Sequence, residues 1–245
     1  RSLLGAGDAI ETTTPYHAWR PVFTELLDLA GVEDVEARRA RVLAHAGAVP
    51  RLERLAPLLN PVLALDLPDN EFTAQLSGQV RADNTRRLLV RLLRAGAAAK
   101  DAGASPLLVA LDDGHWFDSA SWALTAQVAS QVRPLLLAIA TRPLVEPPPP
   151  DYRRLRDDPA SDRLPLQPLD PSDTLALVCS RLGVPSLPER VAGLIEARAQ
   201  GNPFFSEELA YALRDTGLIR IADGRCTIAP GAGDLSSVSF PDTVQ

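Results

Sequence analysis

Two kinds of apolar pattern alternate along the chain, and together they predict its elements. Apolar residues recur three and four positions apart between Tyr16 and about Gly103, as in Val22 and Leu26, and this spacing is typical of amphipathic helices. A further helix is predicted over 84–95, where leucines and arginines fall on opposite faces. This part of the chain is therefore predicted to be mostly helical.

Two continuous apolar runs follow the helical part. Leu107–Asp113 ends in two carboxylates, and Leu135–Ala140 is followed by Thr141 and Arg142. Such runs are typical of strands buried on both faces of a parallel sheet. Asp118 offers an N-cap to a helix between them. Strand, helix and strand then form a βαβ unit whose polar strand ends gather at one edge.

The last third of the chain predicts a helical subdomain followed by a hairpin. The four prolines at 147–150 predict a loop that runs to about Arg163, and the segment 164–169 has the pattern of an edge element. Three helices and a β-hairpin are then predicted, at 171–182, 188–199, 203–215 and 219–228. Asp223-Gly224 indicates the hairpin turn, because both residue types tolerate a positive φ angle.

Composition and charge exclude several classes of function. With 46% hydrophobic and 23% charged residues among 245, the chain has the composition of a folded protein. Its apolar runs are too short to cross a membrane. It carries 25 basic and 31 acidic residues and no basic tract, so direct nucleic-acid binding is not expected. Cys179 and Cys226 are too few for a disulfide framework and fit the free thiols of a cytoplasmic protein.

The polar groups at the two strand ends carry the strongest chemical signal. Asp112 could hold Mg²⁺, and Asp113 could orient or deprotonate a water molecule during phosphoryl transfer. Thr141 and Arg142 could face a γ-phosphate, because the guanidinium fork matches phosphate oxygens. The structural alternative is about equally supported: paired aspartates often cap a turn, and such an arginine can pair with a loop carboxylate.

A metal hydrolase is a third and weaker interpretation of the same turn. Asp112, Asp113 and His115, with Asp118 nearby, have the residue types of a metal site. All four lie on one turn without a distant ligand, so Asp118 is better explained as a helix N-cap, and Trp116 as a packing residue. No Gly-x-Ser-x-Gly motif occurs, which argues against a serine hydrolase.

These residues lead to a family resemblance. The sequence Leu-Leu-Val-Ala-Leu-Asp-Asp-Gly-His-Trp-Phe-Asp at 107–118 resembles the Walker B region of STAND-type P-loop ATPases. Residues 134–143 resemble the sensor 1 strand of that family, 201–209 its Gly-x-Pro lid motif, and 14–19 the segment after its second strand. The resemblance covers nearly the whole chain. Modules of this type lie beside class III adenylate cyclase domains or LuxR-type output domains in regulatory proteins.

The resemblance implies both a fold and a set of roles. The fold would be α/β, a parallel P-loop-type sheet that lacks its first strand and carries a helical insertion. It implies a P-loop core over 1–165, a helical lid over 166–217 and the start of a winged-helix-like region over 218–245. Asp112 would bind Mg²⁺, Asp113 would be the catalytic carboxylate, and Arg142 would sense the γ-phosphate of ATP. Thr141, Gly201, Asn202 and Pro203 would also contact the nucleotide, with Pro203 against adenine.

One part of the family pattern is missing. A P-loop needs Gly-x-x-x-x-Gly-Lys-[Ser/Thr] to cradle phosphates, and the chain has no such motif. Lys100, the sole lysine, lacks the glycines and the hydroxyl, and Gly5-Ala6-Gly7 lacks a lysine. The sequence opens at Arg1 without methionine or a signal peptide, so we expect the P-loop to lie upstream. The expected function is an ATP-binding regulatory switch that controls an output domain; the alternative is a non-hydrolysing protein-interaction scaffold.

Overall fold

Two compact units make up the chain, Arg1–Arg163 and Leu164–Gln245. A computed structural model describes residues 1–47, 49–97 and 106–230. Three sequence predictions fall wholly or partly outside the described residues: the exclusion of Lys100 as a P-loop lysine, the chain break at 103–106, and residues 231–245 of the winged-helix-like region.

A three-stranded parallel sheet organises the first unit. Its strands are β1 (Ser2–Ala6), β2 (Leu107–Asp112) and β3 (Leu135–Ile139), in the order β1-β2-β3. The register sets Ala6 beside Asp112 and Leu111 beside Ile139. The predicted parallel pairing of the two apolar runs, with adjacent carboxyl ends, is confirmed. The chain is therefore mixed α/β.

The described part of the first unit contains seven α-helices. They are α1 (Arg20–Leu26), α2 (Val35–Leu43), α3 (Leu52–Leu55), α4 (Asn60–Leu63), α5 (Gly78–Ala97), α6 (Ser119–Gln131) and α7 (Pro150–Arg156). The helix predicted over 84–95 extends further in both directions as α5. The loop predicted from 147 to 163 contains α7, because a proline is tolerated at the first helical position, which Pro150 occupies.

The core of the first unit lies on one face of the sheet. Leu3, Val109 and Leu111 point to this face and are at most 2% exposed. They belong to one cluster with Trp19 and Phe23, among other buried residues of the surrounding helices. Burial of this apolar surface is the main favourable contribution to folding of the unit.

The opposite face of the sheet is largely open. Leu4 is 62% exposed and Leu136 is 63% exposed, and Ala138 beside them is exposed as well. The prediction that both apolar runs are buried on both faces is therefore wrong for β3. The physical reason is that the described helices of this unit leave that side of the sheet uncovered.

The second unit consists of three helices and a hairpin over its described residues. The elements are α8 (Pro171–Leu182), α9 (Glu189–Ala199), α10 (Pro203–Asp215), β4 (Ile219–Ala222) and β5 (Arg225–Ile228). The predicted helices and hairpin are confirmed. Asp223 and Gly224 have φ angles of 49° and 69° at the turn, as their residue types indicated. Val178, Val191 and Leu209 are fully buried in the core between the helices.

The segment 164–169, predicted as an edge element, has no regular secondary structure. Leu164 is 84% exposed and Leu166 is 89% exposed. Pro165 and Pro168 lack the N–H donors that a strand contributes to a ladder, which is the physical reason for the error. The prediction of a regular edge element in this segment is wrong.

Candidate functional site

Backbone hydrogen bonds hold the carboxyl ends of the three parallel strands together. The N–H of Gly7 donates to the carbonyl of Asp112 at 2.9 Å, and the N–H of Gly114 donates to the carbonyl of Ala140 at 2.9 Å. These bonds continue the pairing beyond the last residues of β1 and β3. The carboxylate pair therefore lies between the end of β1 and Thr141, as the sequence predicted for one edge of a parallel sheet.

Asp112 has an exposed carboxylate that takes part in the turn. Its Oδ1 accepts a hydrogen bond from the N–H of Asp113 at 2.7 Å. The structural alternative, in which a paired aspartate caps a turn, thus accounts for one oxygen atom. The second oxygen accepts no hydrogen bond from the described residues, and carboxylate oxygens are the ligands that Mg²⁺ prefers.

Asp113 holds a backbone conformation that only a few non-glycine residues adopt. Its φ and ψ angles are 51° and 43°, in the left-handed region. This conformation costs a non-glycine residue on the order of 1 kcal/mol and is enriched at functional sites. It also lets the chain turn sharply after β2. The Asp113 side chain is 50% exposed.

Thr141 and Arg142 stand beside this turn on the far side of β2. A β-carbon on Gly114 would lie 3.1 Å from the β-carbon of Thr141, so the two segments are in contact. The Thr141 hydroxyl donates to the carbonyl of Arg142 at 2.9 Å. The Arg142 side chain is exposed and has no hydrogen-bond or ion-pair partner within 1–47, 49–97 and 106–230. The alternative of a loop carboxylate paired with this arginine is not found among those residues.

His115 lies beside Asp113, and its side chain is mostly, though not fully, buried. Its side chain is 11% exposed, and both ring nitrogens are buried without a hydrogen-bond partner in the described residues. The ring packs on Trp116 with centroids 4.7 Å apart. Its Nδ1 lies 3.9 Å from Oδ1 of Asp113, which is too long for a hydrogen bond.

Asp118 has a structural role that the sequence predicted in part. It is the N-cap of α6 and accepts the N–H of Ser121 at 2.9 Å, so the predicted N-cap is confirmed. It is only 5% exposed and also accepts the N–H groups of Tyr16 at 3.1 Å and His17 at 3.3 Å. The hydrogen bonds from Tyr16 and His17 were not predicted, because no local sequence pattern shows that the segment around Tyr16 lies against the start of α6.

No group of three or more His, Cys, Asp or Glu side chains in the described part of the chain is arranged to hold a metal ion. The carboxylate of Asp118 is engaged by backbone donors and is unavailable to a cluster around His115. The third interpretation from the sequence, a metal hydrolase, therefore has no geometric support in these residues.

The Gly201-Asn202-Pro203 motif lies in the second unit, where each residue has a structural role. Gly201 has φ 75°, and a β-carbon there would lie 2.3 Å from the carbonyl oxygen of Leu169. The Asn202 side chain accepts the N–H of Phe205 at 3.2 Å as the N-cap of α10. Pro203 begins that helix. The sequence motif is thus explained by the turn at Gly201 and the capping of α10.

The two thiols are poor candidates for nucleophilic catalysis. Cys179 is buried and Cys226 is half-buried, and both are free. Burial raises the pKa of the Cys179 thiol, and burial together with the nearby Cys179 raises the pKa of Cys226. Since the thiolate is the reactive form, neither residue is activated.

Two cavities lie away from the sheet edge. One, of about 360 Å³, is bounded by residues of α5, α6 and α7. The other, of about 250 Å³, lies between α8 and α9 in the second unit. None of the predicted site residues lines either cavity. At the carboxyl edge of the sheet, Asp112, Thr141 and Arg142 are exposed.

Comparison with known proteins identifies one similarity. A family model described as a domain of unknown function (DUF8739) matches residues 171–227. The match begins at the first residue of α8 and ends within β5. No curated protein and no solved structure matches the chain. No α-helix in the described part of the chain is both long and apolar enough to cross a membrane.

Proposed function

We propose that the chain is an ATP-binding regulatory module of the STAND type, with Mg²⁺ and the phosphates held at the carboxyl edge of the sheet. One observation carries the proposal. Parallel pairing brings Asp112, Asp113, Thr141 and Arg142 to adjacent strand ends, and ligands of open α/β sheets bind outside that edge. The resemblance of 107–118 to a Walker B region points to the same residues.

The proposed roles follow from the chemistry and surroundings of each side chain. The free oxygen of Asp112 would hold Mg²⁺, which supplies charge neutralisation at the phosphates. Asp113, half-exposed at the same turn, would orient or deprotonate the attacking water. The exposed guanidinium of Arg142, which has no partner in the described part of the chain, would stabilise charge on the γ-phosphate. Thr141, next to Arg142, would be a further polar contact at the proposed phosphate site.

The open face of the sheet offers a position for the missing P-loop strand and the helix that follows it. Parallel sheets are covered on both faces by helices of their crossover connections. Here Leu4 and Leu136 are uncovered, and β3 pairs only with β2 among the described strands. A P-loop strand added beside β3, with its helix on this face, would cover both. We propose that polypeptide upstream of Arg1 supplies them.

The second unit would act as a helical lid. In this proposal Gly201, Asn202 and Pro203 contact the nucleotide, and nucleotide binding changes the equilibrium between lid positions. A ligand that favours one position transmits that preference to an attached output domain. The chain would then be a switch in which slow hydrolysis ends the signal.

A protein-interaction scaffold without nucleotide is the second candidate. The uncovered apolar face around Leu4 and Leu136 favours it, because exposed apolar patches mark interaction surfaces. The hydrogen bond from the Asp113 N–H to Asp112 is also consistent with a purely structural turn. The two candidates differ in whether Mg²⁺-ATP binds.

The test has a sequence arm and a binding arm. We expect a Gly-x-x-x-x-Gly-Lys-[Ser/Thr] motif in the gene upstream of Arg1, and calorimetric binding of Mg²⁺-ATP by the full-length protein. Asp112→Ala should weaken that binding, whereas Glu53→Gln, an exposed carboxylate on α3, should not. The 245-residue chain alone should bind weakly or not at all, because it lacks the cradle. A full-length protein with no P-loop and no binding would support the scaffold instead.

A further inference from the structure

The His115 side chain, close to the carboxyl edge of the sheet, lacks hydrogen-bond partners among the described residues. Both ring nitrogens are buried, and neither has a hydrogen-bond partner within the described residues. A neutral imidazole carries one N–H donor and one acceptor. Leaving such a group buried and unpaired costs about 1–3 kcal/mol, and nearly all buried polar groups in native proteins are paired. A partner for the ring should therefore lie within reach.

Asp113 is the acidic group within reach. Its Oδ1 lies 3.9 Å from Nδ1 of His115, so a movement of about 1 Å would bring the two atoms to hydrogen-bond distance. The Asp113 side chain is 50% exposed, whereas the His115 side chain is 11% exposed and packed on Trp116, so the carboxylate is less confined than the ring. The carboxylate, rather than the ring, is the part that moves.

We infer that His115 positions the Asp113 carboxylate by donating a hydrogen bond from Nδ1–H to Oδ1. The bond leaves Oδ2 of Asp113 free to face the exposed edge of the sheet. Because one carboxylate oxygen is held by a donor on a ring packed against Trp116, the other has a defined direction toward a bound water. His115 is a positioning residue: it acts through Asp113. The consequence for hydrolysis rests on the proposed function, but the hydrogen bond itself needs no nucleotide.

The direct test is the tautomer of His115 in the 245-residue chain. The chain has three histidines, His17, His45 and His115. The imidazole signals that disappear in His115→Phe are therefore those of His115. In long-range ¹H–¹⁵N spectra of histidine-labelled protein at about pH 8.5, where imidazole is neutral in water, we expect the proton on Nδ1. Asp113→Ala should move it to Nε2. Asp112→Asn, which keeps the acceptor for the turn, should leave it on Nδ1.

A proton on Nε2 in the unaltered chain, or an Nδ1 proton that survives Asp113→Ala, would overturn the inference. Neither result bears on whether ATP binds, so the inference and the proposed function fail separately. If the tautomer is as expected and the full-length protein does not bind Mg²⁺-ATP, only the proposed function is refuted.

The kinetic test separates positioning from simple packing. In the hydrolysing full-length protein, His115→Phe keeps a ring against Trp116 but removes the donor, and should lower kcat about tenfold with little change in KM. His115→Asn places an amide N–H near the former Nδ1 and should recover most of the loss. Equal loss in both variants, or a rise in KM with kcat unchanged, would show that His115 only fills space.

Discussion

Gly7 lies directly against Asp113. A β-carbon on Gly7 would stand 2.4 Å from the Asp113 carbonyl oxygen and 3.0 Å from the β-carbon of Trp116. Real β-carbons essentially never come as close as the shorter of these distances. The end of β1 is therefore pressed onto the turn that carries the two carboxylates, and only glycine fits there.

Replacing this glycine should destabilise the first unit. In Gly7→Ala the added methyl group meets the backbone carbonyl oxygen of Asp113, which cannot rotate away, so we expect a loss of about 1–3 kcal/mol in the free energy of unfolding. Urea denaturation monitored by tryptophan fluorescence measures it. Ala6→Ser, at an exposed neighbouring position, should change stability by at most about 0.5 kcal/mol. Equal midpoints for both variants would contradict the close approach.

Asp118 should contribute more to stability than an ordinary helix cap. Asp118→Ala removes the N-cap of α6 and leaves the buried N–H groups of Tyr16 and His17 without their acceptor. We expect a loss of about 2–4 kcal/mol, which combines a cap of about 1 kcal/mol with unpaired buried donors. The matched control is Asp34→Ala, which removes the exposed N-cap of α2 and should cost about 1 kcal/mol. Similar losses for both, by urea denaturation, would argue against the buried network.

A side chain at Gly201 should lower the stability of the second unit, whereas one at Gly193 in the same unit should raise it. Gly201→Ala combines a φ of 75° with a contact of 2.3 Å to backbone, and should destabilise the second unit by about 2 kcal/mol or more. Gly193→Ala, within α9 and with nothing within 4 Å of the added carbon, should stabilise it by about 0.5–1 kcal/mol. Thermal unfolding followed by circular dichroism should show shifts of opposite sign.

Asp170 should make the stability of the second unit depend on acid pH. Hydrogen bonds from the Asp173 N–H and the Ser172 hydroxyl lower the pKa of this carboxyl below its ordinary value. A lowered folded-state pKa favours the folded state above the unfolded pKa, near 3.9 for an aspartate, and the contribution disappears as pH falls through the folded pKa. Asp170→Asn caps α8 without titrating. The unaltered chain should therefore lose more stability than this variant between about pH 5 and pH 2.5, and parallel losses would refute the assignment.

Local patterns were sufficient to predict much of the fold. The apolar run ending at Asp112 and Asp113 predicted a parallel strand, and Asp118 predicted the start of a helix. The openness of β3 could not be predicted in the same way, because an apolar run such as that around Leu136 shows that a residue can be buried and does not show what covers it. Leu136 is exposed because its covering layer is absent from the described residues.

The sequence was sufficient to predict which residues of the site lie at the strand ends, but not the detailed geometry of the site. Parallel topology brings Asp113 and Arg142 to one edge, and the order of strands and helix along the chain is enough to infer this. The left-handed backbone of Asp113 and the contact with Gly7 could not be inferred, because both depend on how β1 meets the turn after β2. Whether these residues bind nucleotide stays a prediction.

The uncovered face of the sheet also has consequences for the aggregation and turnover of the newly synthesised polypeptide. Leu4 and Leu136 stand on the two outer strands of that face and are more than half exposed. While this face is uncovered, its apolar surface and the outer edge of β3, which is unpaired within the described residues, are open to association with other chains. Chaperones and proteases act on such surfaces. We therefore expect the covering element to set the cellular abundance of the protein, independently of any ligand at the carboxyl edge.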